Sequence, residues 1–277
     1  MPDHTPDGAD SLGFPGIGPW LDAPGPGRGR EEIPARAIAV AHAAELLELR
    51  SLWVTEPSGG DPEGPPYEAY SMLGALAVRT AQLRLGVVTH AVERRAPSIL
   101  AKIVTGVDVI SHGRAVLALG ADGSDPGDGG RLSEALTVCR LVLEDEIPTF
   151  KGRFYSIDAA VNRPAPVQPG GVPIVVFIHG DGPGRRALID AAVGSADAIV
   201  VDGGADGVRQ AVAMVDERRD QVPTRTVEVL GQVAGDAPVE TVASQIAGIR
   251  DAMASGCLVG LPYPWEPSAL EAAALAW

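Results

Sequence analysis

Hydrophobic positions along this chain fall into short apolar runs separated by amphipathic stretches, and the two alternate over most of its length. Leu83–Thr89 is an apolar run rich in Val, Leu and Gly, which reads as a fully buried strand. From Ala96 to Ile110 the residues Ile99, Ile103, Val107 and Ile110 recur at helical spacing, and Pro97 suits a first helical turn. Gly113 ends that helix, and a second apolar run, Ala115–Leu119, breaks into the Gly-Ala-Asp-Gly of residues 120–123. Strand, helix and parallel strand make one βαβ unit, with a right-handed crossover expected. Both strands end in glycine or small polar residues, which is where an α/β protein places its ligand.

The same alternation extends on both sides. Helices are expected over Glu31–Leu49, Tyr67–Thr80, Arg131–Glu144, from Arg185 onward, and over Ala205–Arg219, Val239–Ala254 and Glu266–Ala276. Strands are expected at Leu52–Thr55, Val172–Ile178, Ala198–Val201, Thr226–Val233 and Leu258–Leu261. The segment EIPTFKGRFYSI (146–157) reads as an excursion of two short strands around Lys151 and Gly152. Residues 1–30 are rich in Pro and Gly and read as an irregular N-terminal arm. Within that arm, SLGFPGIGPW holds a poor first strand that buries Phe14, Ile17 and Trp20.

Strand and helix alternate in this way seven times, with the weak first strand as an eighth, and such alternation means a parallel sheet. The number of repeats fits a closed α/β barrel of the TIM type, (β/α)8, better than an open doubly wound sheet, although periodicity alone leaves the open form standing. The domain expectation is an arm over 1–30 followed by one barrel over 31–277. A degenerate first strand would also leave an exposed edge, which pairing with another chain would cover.

Composition narrows the picture. The length of 277 residues matches a single α/β barrel, which runs to about 250. Hydrophobic residues make up 45% but aromatic ones only 4%, so Val, Leu, Ile and Ala must fill the core. A formal charge of −14 argues against binding the phosphate backbone of nucleic acid. Cys139 and Cys257 lie far apart inside apolar patterns and read as buried free thiols, which fits a cytoplasmic location. No apolar stretch reaches the roughly 18 residues of a membrane span, and no signal pattern opens the chain. Metal binding finds no support, because HExxH, CxxC and His/Asp/Glu clusters at ligand spacing are all missing. GADGSDPGDGG has a calcium-loop composition but lacks the glutamate at position 12. The hydrolase signature GxSxG is missing too.

Several segments together resemble one family. SLWVTE (51–56), RTAQLRLGVVT (79–89), APSILAKIVTGVDVISHGR (96–114) and ALGADG (118–123) are similar to the bacterial luciferase-like flavin-dependent oxidoreductases. That superfamily includes enzymes using the deazaflavin coenzyme F-420. PTFKGRFYSI (148–157) with PAPVQPGGVPIVV (164–176) resembles the segment leading into the family's fifth strand, and ADAIV (196–200) resembles the sixth. The resemblance runs over roughly residues 40–260 in order. It implies a TIM-type barrel whose strand ends hold FMN or F-420, a small organic substrate, and a homodimer or a pairing with a related subunit. The dimer contact would lie near the helices Tyr67–Thr80 and Ala96–Ile110.

Candidate chemistry sits at the strand ends. HGDGPG (179–184) lies between a strand and a helix, with Arg185 and Arg186 just beyond. Free N–H groups at a glycine-rich helix start plus an arginine suit a phosphate, and the loop is equally readable as an ordinary βα turn. The resemblance places the cofactor phosphate near His179, Gly180, Gly182, Arg185 and Arg186, although Asp181 would oppose an anion unless it points away. It also places the ring of the cofactor against Gly86, Val87, Val88 and Thr89, with Gly86 permitting close approach of a flat ring. The alternative for Gly86 is a core glycine that makes room for a neighbour. Gly120, Ala121 and Asp122 leave space for the same ring or simply turn the chain. His90, past a strand end, and Glu56 are the candidate proton carriers. His42 and His112 read as structural or exposed.

Departures from the family pattern favour a second reading. Pro57 stands where the family carries a histidine after the acidic residue, the segment SDPGDGG is much shorter than the usual cofactor cap, and the glycine loop is altered. The sequence therefore supports either a flavin- or F-420-dependent oxidoreductase or monooxygenase, or a diverged, cofactor-free barrel serving as a partner subunit or repurposed binding protein.

Overall fold

The computed structural model describes residues 16–21, 31–56, 67–89, 91, 95–125, 127–169, 171–219 and 227–277. In chain order the elements are β1 (Gly16–Leu21), α1 (Ile33–Leu46), β2 (Ser51–Thr55), α2 (Ala69–Ala77), β3 (Arg84–Val88), α3 (Pro97–Ile110), β4 (Leu117–Ala121) and α4 (Asp128–Glu144). They continue with β5 (Phe150–Lys151), β6 (Ser156–Ile157), β7 (Ile174–Ile178), α5 (Arg185–Val193), β8 (Ala198–Val201) and α6 (Gly204–Arg219). The last elements are β9 (Glu228–Val233), α7 (Val239–Asp251), β10 (Gly256–Leu261) and α8 (Ser268–Ala276). Eight strands pair in the order β3-β2-β1-β10-β9-β8-β7-β4, all parallel. The two ends meet at the parallel bridge between Leu85 and Ala115, where Leu85 N–H donates to Arg114 O and Val116 N–H to Leu85 O, both at 2.9 Å. The sheet is thus a nearly closed TIM-type (β/α)8 barrel ringed by helices, and the open doubly wound form is excluded.

Local chemistry explains the boundaries. Pro97 occupies the first turn of α3, and Ser111 N–H bonds Val107 O while Gly113 N–H reaches Asp108 O at 2.8 Å. That 6→1 closure brings Gly113 to φ +86°, a conformation glycine adopts without strain. The excursion at 146–157 is an antiparallel ribbon of β5 and β6, and the Glu134 carboxylate accepts from the N–H groups of Arg153, Phe154 and Tyr155 at its turn.

The first strand departs from expectation. β1 pairs with β10 from Gly16 to Leu21 and with β2 at Trp20 and Leu21. The barrel wall therefore begins inside the stretch expected to be an arm. Both edges of β1 are met within this chain, so no open edge is left there for another chain to cover. Phe14, Pro57 and His90 lie outside the described residues.

Two hydrophobic layers divide the core. Leu52, Val54, Leu85, Val87, Leu117, Leu119 and Ala121 face outward and pack under the helices. Trp53, Val88, Val116, Ala118, Val175, Phe177, Ala198, Val200, Leu230 and Leu258 fill the barrel interior, with Trp20 against them. Trp53 and Phe177 are the large members of this plug, edge to face at a centroid distance of 5.4 Å. The indole Nε1 donates to Ser51 Oγ at 2.9 Å. Both cysteines are buried free thiols, each with its pKa pushed up to about 12 by burial.

Candidate active site

Strand alternation decides which residues reach the carboxyl-end mouth of the barrel. Successive side chains on a strand point to opposite faces, so Thr55 shares the inward face of Ser51 and Trp53, and His179 that of Val175 and Phe177. By the same count Trp20, Val88, Gly120, Asp122, Asp202 and Gln232 face the mouth, whereas Glu56, Val87, Thr89 and Ala121 project toward the helices.

His179 spans the mouth's wall. Its ring stacks on Phe177 at 6.1 Å and 10°. Nε2 lies 3.1 Å from the Thr89 carbonyl, so that nitrogen carries the proton and donates. Strand β4 lies between the two partners and offers only the small residues Ala118 and Gly120 on this face, so the imidazole bridges the seam where β3 and β4 have stopped pairing. Burial pushes the His179 pKa below the usual histidine value, against the opposing pull of the Thr89 carbonyl and of Asp202 and Asp122. The neutral imidazole is the stable form at neutral pH.

Thr55 is unusual. The residue is 8% exposed, and its Oγ1 is buried with no hydrogen-bond partner among the described residues. Buried hydroxyls are nearly always paired, and leaving one unpaired costs about 1–3 kcal/mol.

Glu56 has a different setting from the one expected of a proton carrier at the mouth. Its carboxylate is paired with Arg95 and accepts from Thr89 Oγ1 at 3.4 Å. Arg95 also donates to Glu68 at 3.0 Å and lies over the Tyr70 ring at 5.1 Å. Glu56, Tyr70, Thr89 and Arg95 surround a void of about 10 Å³ bordered by Leu100 and Leu119, in the layer between sheet and helices. Desolvation, then the Glu56 charge, raises the Tyr70 pKa. As placed, Glu56 ties the end of β2 to α2 and to the segment entering α3.

Gly86 faces inward, yet the flat ring against it belongs to the protein. A Cβ there would lie 2.2 Å from Trp53 Cζ3, so the indole fills the space a cofactor ring would need. The core-glycine alternative is the one the packing supports.

The glycine loop is internally bonded. Gly180 N–H donates to Asp202 Oδ2 at 2.6 Å. Arg185, buried, donates to Gly180 O at 2.7 Å, to Asp202 Oδ1 at 3.3 Å, and to the carbonyls of Asp202 and Gly207 at 3.4 and 3.3 Å. Arg186 is exposed and paired with Glu217 on α6 at 2.7 Å, away from the mouth. Gly184 packs on the β4 loop, where an added Cβ would meet Gly123 O at 2.4 Å. Gly182 stays close to the same loop, and Asp181 is exposed. Asp122 accepts from Ser124 N–H at 2.9 Å, and its hydrogen bonds to Ser124 hold its carboxyl below the usual range.

Two clefts open at this end of the barrel. One of about 310 Å³ lies beside the β3–β4 seam and is lined by Ala91, Asp122, Asp125, Asp128 and Arg131 among others. The other, about 350 Å³, runs from Gln232 to the start of α6 and to Ser244 and Gln245 of α7. Among the described residues there is no group of His, Cys, Asp or Glu able to hold a metal ion, and no helix is long and apolar enough to cross a membrane.

The expected residues therefore divide. Val88, Gly120, Asp122, His179, Gly180 and Gly182, with the Thr89 carbonyl, gather at the mouth or its rim. Glu56 and Val87 lie behind the wall, Ala121 borders the cleft beside the β3–β4 seam, Gly86 lies under Trp53, Arg185 is folded between two loops, and Arg186 is on the outside. Trp20, Thr55, Asp202 and Gln232 were missed by sequence reasoning. The signal available for Thr55 was its two-residue spacing from Trp53.

A parallel eight-stranded barrel with a polar mouth over an aromatic plug defines a ligand-binding (β/α)8 protein. Residues 16–234 match the luciferase-like monooxygenase family, and the chain belongs to it. No curated protein matches the sequence significantly. Among solved structures, the coenzyme F-420-dependent tetrahydromethanopterin reductase from Methanopyrus kandleri superposes with a TM-score of 0.74 at 15% identity, over 94% of this chain and 97% of the other. The monooxygenase RslO1 from Streptomyces bottropensis gives 0.73 at 16%, over 94% and 97%. The oxygenating constituent of 3,6-diketocamphane monooxygenase from Pseudomonas putida, in complex with FMN, gives 0.71 at 14%, over 95% and 97%.

Proposed function

We propose that this protein is a flavin-type oxidoreductase of the luciferase-like family, acting on a small organic substrate with an isoalloxazine or deazaflavin ring bound in the barrel mouth. The observation that carries this reading is the Thr55 hydroxyl, nine-tenths buried, facing the mouth and unpaired among the described residues. Such a donor is stabilised by a ligand that offers it an acceptor, and a heteroaromatic ring with carbonyl and ring-nitrogen acceptors does so. The inward face of the mouth offers the ring portion of FMN or F-420 the Thr55 hydroxyl and the His179 imidazole as polar neighbours. The phosphate portion does not fit the glycine loop, whose Gly180 N–H and Arg185 guanidinium already hold Asp202.

When bound, the ring supplies the redox chemistry. The chain's own groups hold and orient it. Thr55 Oγ1 donates a hydrogen bond, His179 presents an imidazole kept neutral by burial, and the Trp53–Phe177 plug closes the barrel below and excludes water. Glu56 and Arg186 have no part in this arrangement. The pairing of Glu56 with Arg95 and of Arg185 with Asp202 favours the second reading, a cofactor-free barrel acting as a partner subunit or binder.

Fluorescence titration of the purified protein with FMN, riboflavin and F-420 separates the two. Saturable micromolar binding of any of them supports the oxidoreductase, and folded protein that binds none up to millimolar concentration leaves the cofactor-free barrel. Homodimerisation through α2 and α3 is part of the proposal. Val78, Ile99 and Ile110 are exposed there, and Gly74 and Gly106 have open space around them, so two backbones can approach closely. Sedimentation of Ile99→Glu, expected monomeric, tests it. Buried free thiols accord with a cytoplasmic location.

A further inference from the structure

We propose that Asp202 is a built-in anion that occupies the phosphate cradle of the glycine loop, so that the mouth selects a ring ligand presenting no phosphate to that loop. The inference rests on the flavin-type reading for the identity of the ring, but the occupied cradle is argued from the chain alone.

The donors of the cradle are those a phosphate would take at a glycine-rich helix start, a loop N–H and a guanidinium. Both are turned onto one carboxylate. Gly180 N–H donates to Asp202 Oδ2 at 2.6 Å, and Arg185 Nη1 donates to Asp202 Oδ1 at 3.3 Å. Strand pairing sets this up. Ile178 of β7 lies opposite Val201 of β8, so His179 and Asp202 leave adjacent strands side by side on the inward face. The chain then turns sharply through Gly203 and Gly204, at φ +84° and +60°, left-handed conformations that glycine takes without a Cβ clash. That turn brings the Asp202 carbonyl and Gly207 O under the Arg185 guanidinium as well, which fixes the arginine from a second side.

The other arginines nearby are turned elsewhere: Arg131, in the cleft beside Asp122, lies over the Phe154 ring at 4.9 Å. Arg186 faces Glu217, and the β4 loop is packed against Gly184. Asp122, held ionised by its hydrogen bonds to Ser124, adds negative charge at the rim. A second anion entering here would meet two carboxylates, one of which already holds the Arg185 guanidinium.

Replacing the carboxylate with its neutral isostere frees the guanidinium's charge while keeping the shape. The experiment compares wild type, Asp202→Asn and Asp202→Ser in two arms. In the first, riboflavin and FMN, which differ only by the phosphate, are titrated by flavin fluorescence. Wild type is expected to bind FMN no more tightly than riboflavin, and Asp202→Asn to shift the ratio toward FMN by about tenfold. In the second arm, thermal melts are recorded with inorganic phosphate at constant ionic strength. The variants are expected to gain a saturable, phosphate-dependent rise in melting temperature that wild type lacks. Wild type that prefers FMN to riboflavin tenfold, or that is already stabilised by phosphate to the extent the variants are, overturns the proposal. If no flavin binds any form, the functional reading fails while the phosphate arm still decides the role of Asp202. Melts without phosphate verify that each variant is folded, and Asp202→Ser stands in should the asparagine amide fail to pack.

Discussion

Replacing Gly86 with alanine tests whether the barrel is plugged by its own indole or cleared for a bound ring. The new Cβ would stand 2.2 Å from Trp53 Cζ3 and 2.4 Å from Cε3. Carbon atoms in contact sit about 3.5–4.0 Å apart, so the overlap exceeds an ångström. Trp53 cannot simply retreat, because Ser51 Oγ holds its Nε1 and Phe177 meets the ring edge to face. Overpacking of this kind costs about 1–3 kcal/mol, and the severity places Gly86→Ala near about 3 kcal/mol. For a chain of this size that is a fall in melting temperature of roughly 6–12 °C. Trp53→Leu alone opens a cavity and costs about 3 kcal/mol, but in its presence Gly86→Ala should cost less than about 1 kcal/mol because the obstacle is gone. Urea unfolding of the four proteins in the cycle gives the coupling, expected at about 2 kcal/mol. Additive effects, or a single Gly86→Ala within about 0.5 kcal/mol of wild type, refute the packing argument. A glycine kept small for a cofactor would instead leave the unliganded protein untouched and weaken binding alone.

Thr55→Val should separate stability from binding. Removing an unpaired hydroxyl leaves the unliganded protein as stable or more stable by up to about 1 kcal/mol, while flavin affinity falls about fivefold to tenfold and Thr55→Ser retains it; equal affinities in all three sink the role given to this group. Glu56→Gln breaks a carboxylate that is 5% exposed away from an arginine that is 24% exposed. A fully buried pair broken on one side costs about 3–5 kcal/mol, and the partial exposure of Arg95 brings the expectation to about 2 kcal/mol. Ring binding should be unchanged, so a binding loss without a stability loss would return Glu56 to the mouth. His179 gives a pH signature. Its folded-state pKa lies below the unfolded value near 6.5, so the unfolded chain takes up the proton first. Stability from this group is full above that value and is lost as pH falls from it through the lower folded pKa. His179→Gln should flatten that acid slope in urea midpoints, and an unchanged slope counts against the buried imidazole.

The fold was legible because strand and helix alternate in apolar pattern through the whole barrel, and helix-end signals such as Pro97 and Gly113 fell where the backbone needs them. The weak point was β1, where GIGPWL carries two glycines and a proline and owes its place to pairing on both sides with β10 and β2. The site was less legible for a physical reason. A parallel barrel buries both faces of its strands, so SLWVT and LALGA read as continuous apolar runs and hide which residues face inward. Thr55 and Glu56 are neighbours in sequence but stand on opposite sides of the wall. Nor can the pairing of Asp202 with a loop 22 residues earlier be seen without the register of β7 and β8.

One design runs through both ends of the site. Arg95 with Glu56 joins the β2 end to α2 and to the approach to α3, and Arg185 with Asp202 joins the β7 loop to the β8 loop. In each case a buried or half-buried carboxylate holds an arginine, and at the β7 loop that arginine is the one a phosphate would use. The inward surface carries a neutral hydroxyl at Thr55, an imidazole that burial keeps neutral at His179, the Gln232 amide and the Trp20 ring, and the acidic rim at Asp122. Such a mouth discriminates by shape and hydrogen bonding, with anions disfavoured before they arrive by a chain of formal charge −14. Raising the salt concentration should therefore tighten any FMN binding and leave riboflavin unaffected, because screening weakens repulsion between like charges and touches only the phosphorylated ligand. An FMN affinity that falls with salt would mean that a cation, and not Asp202, meets the phosphate.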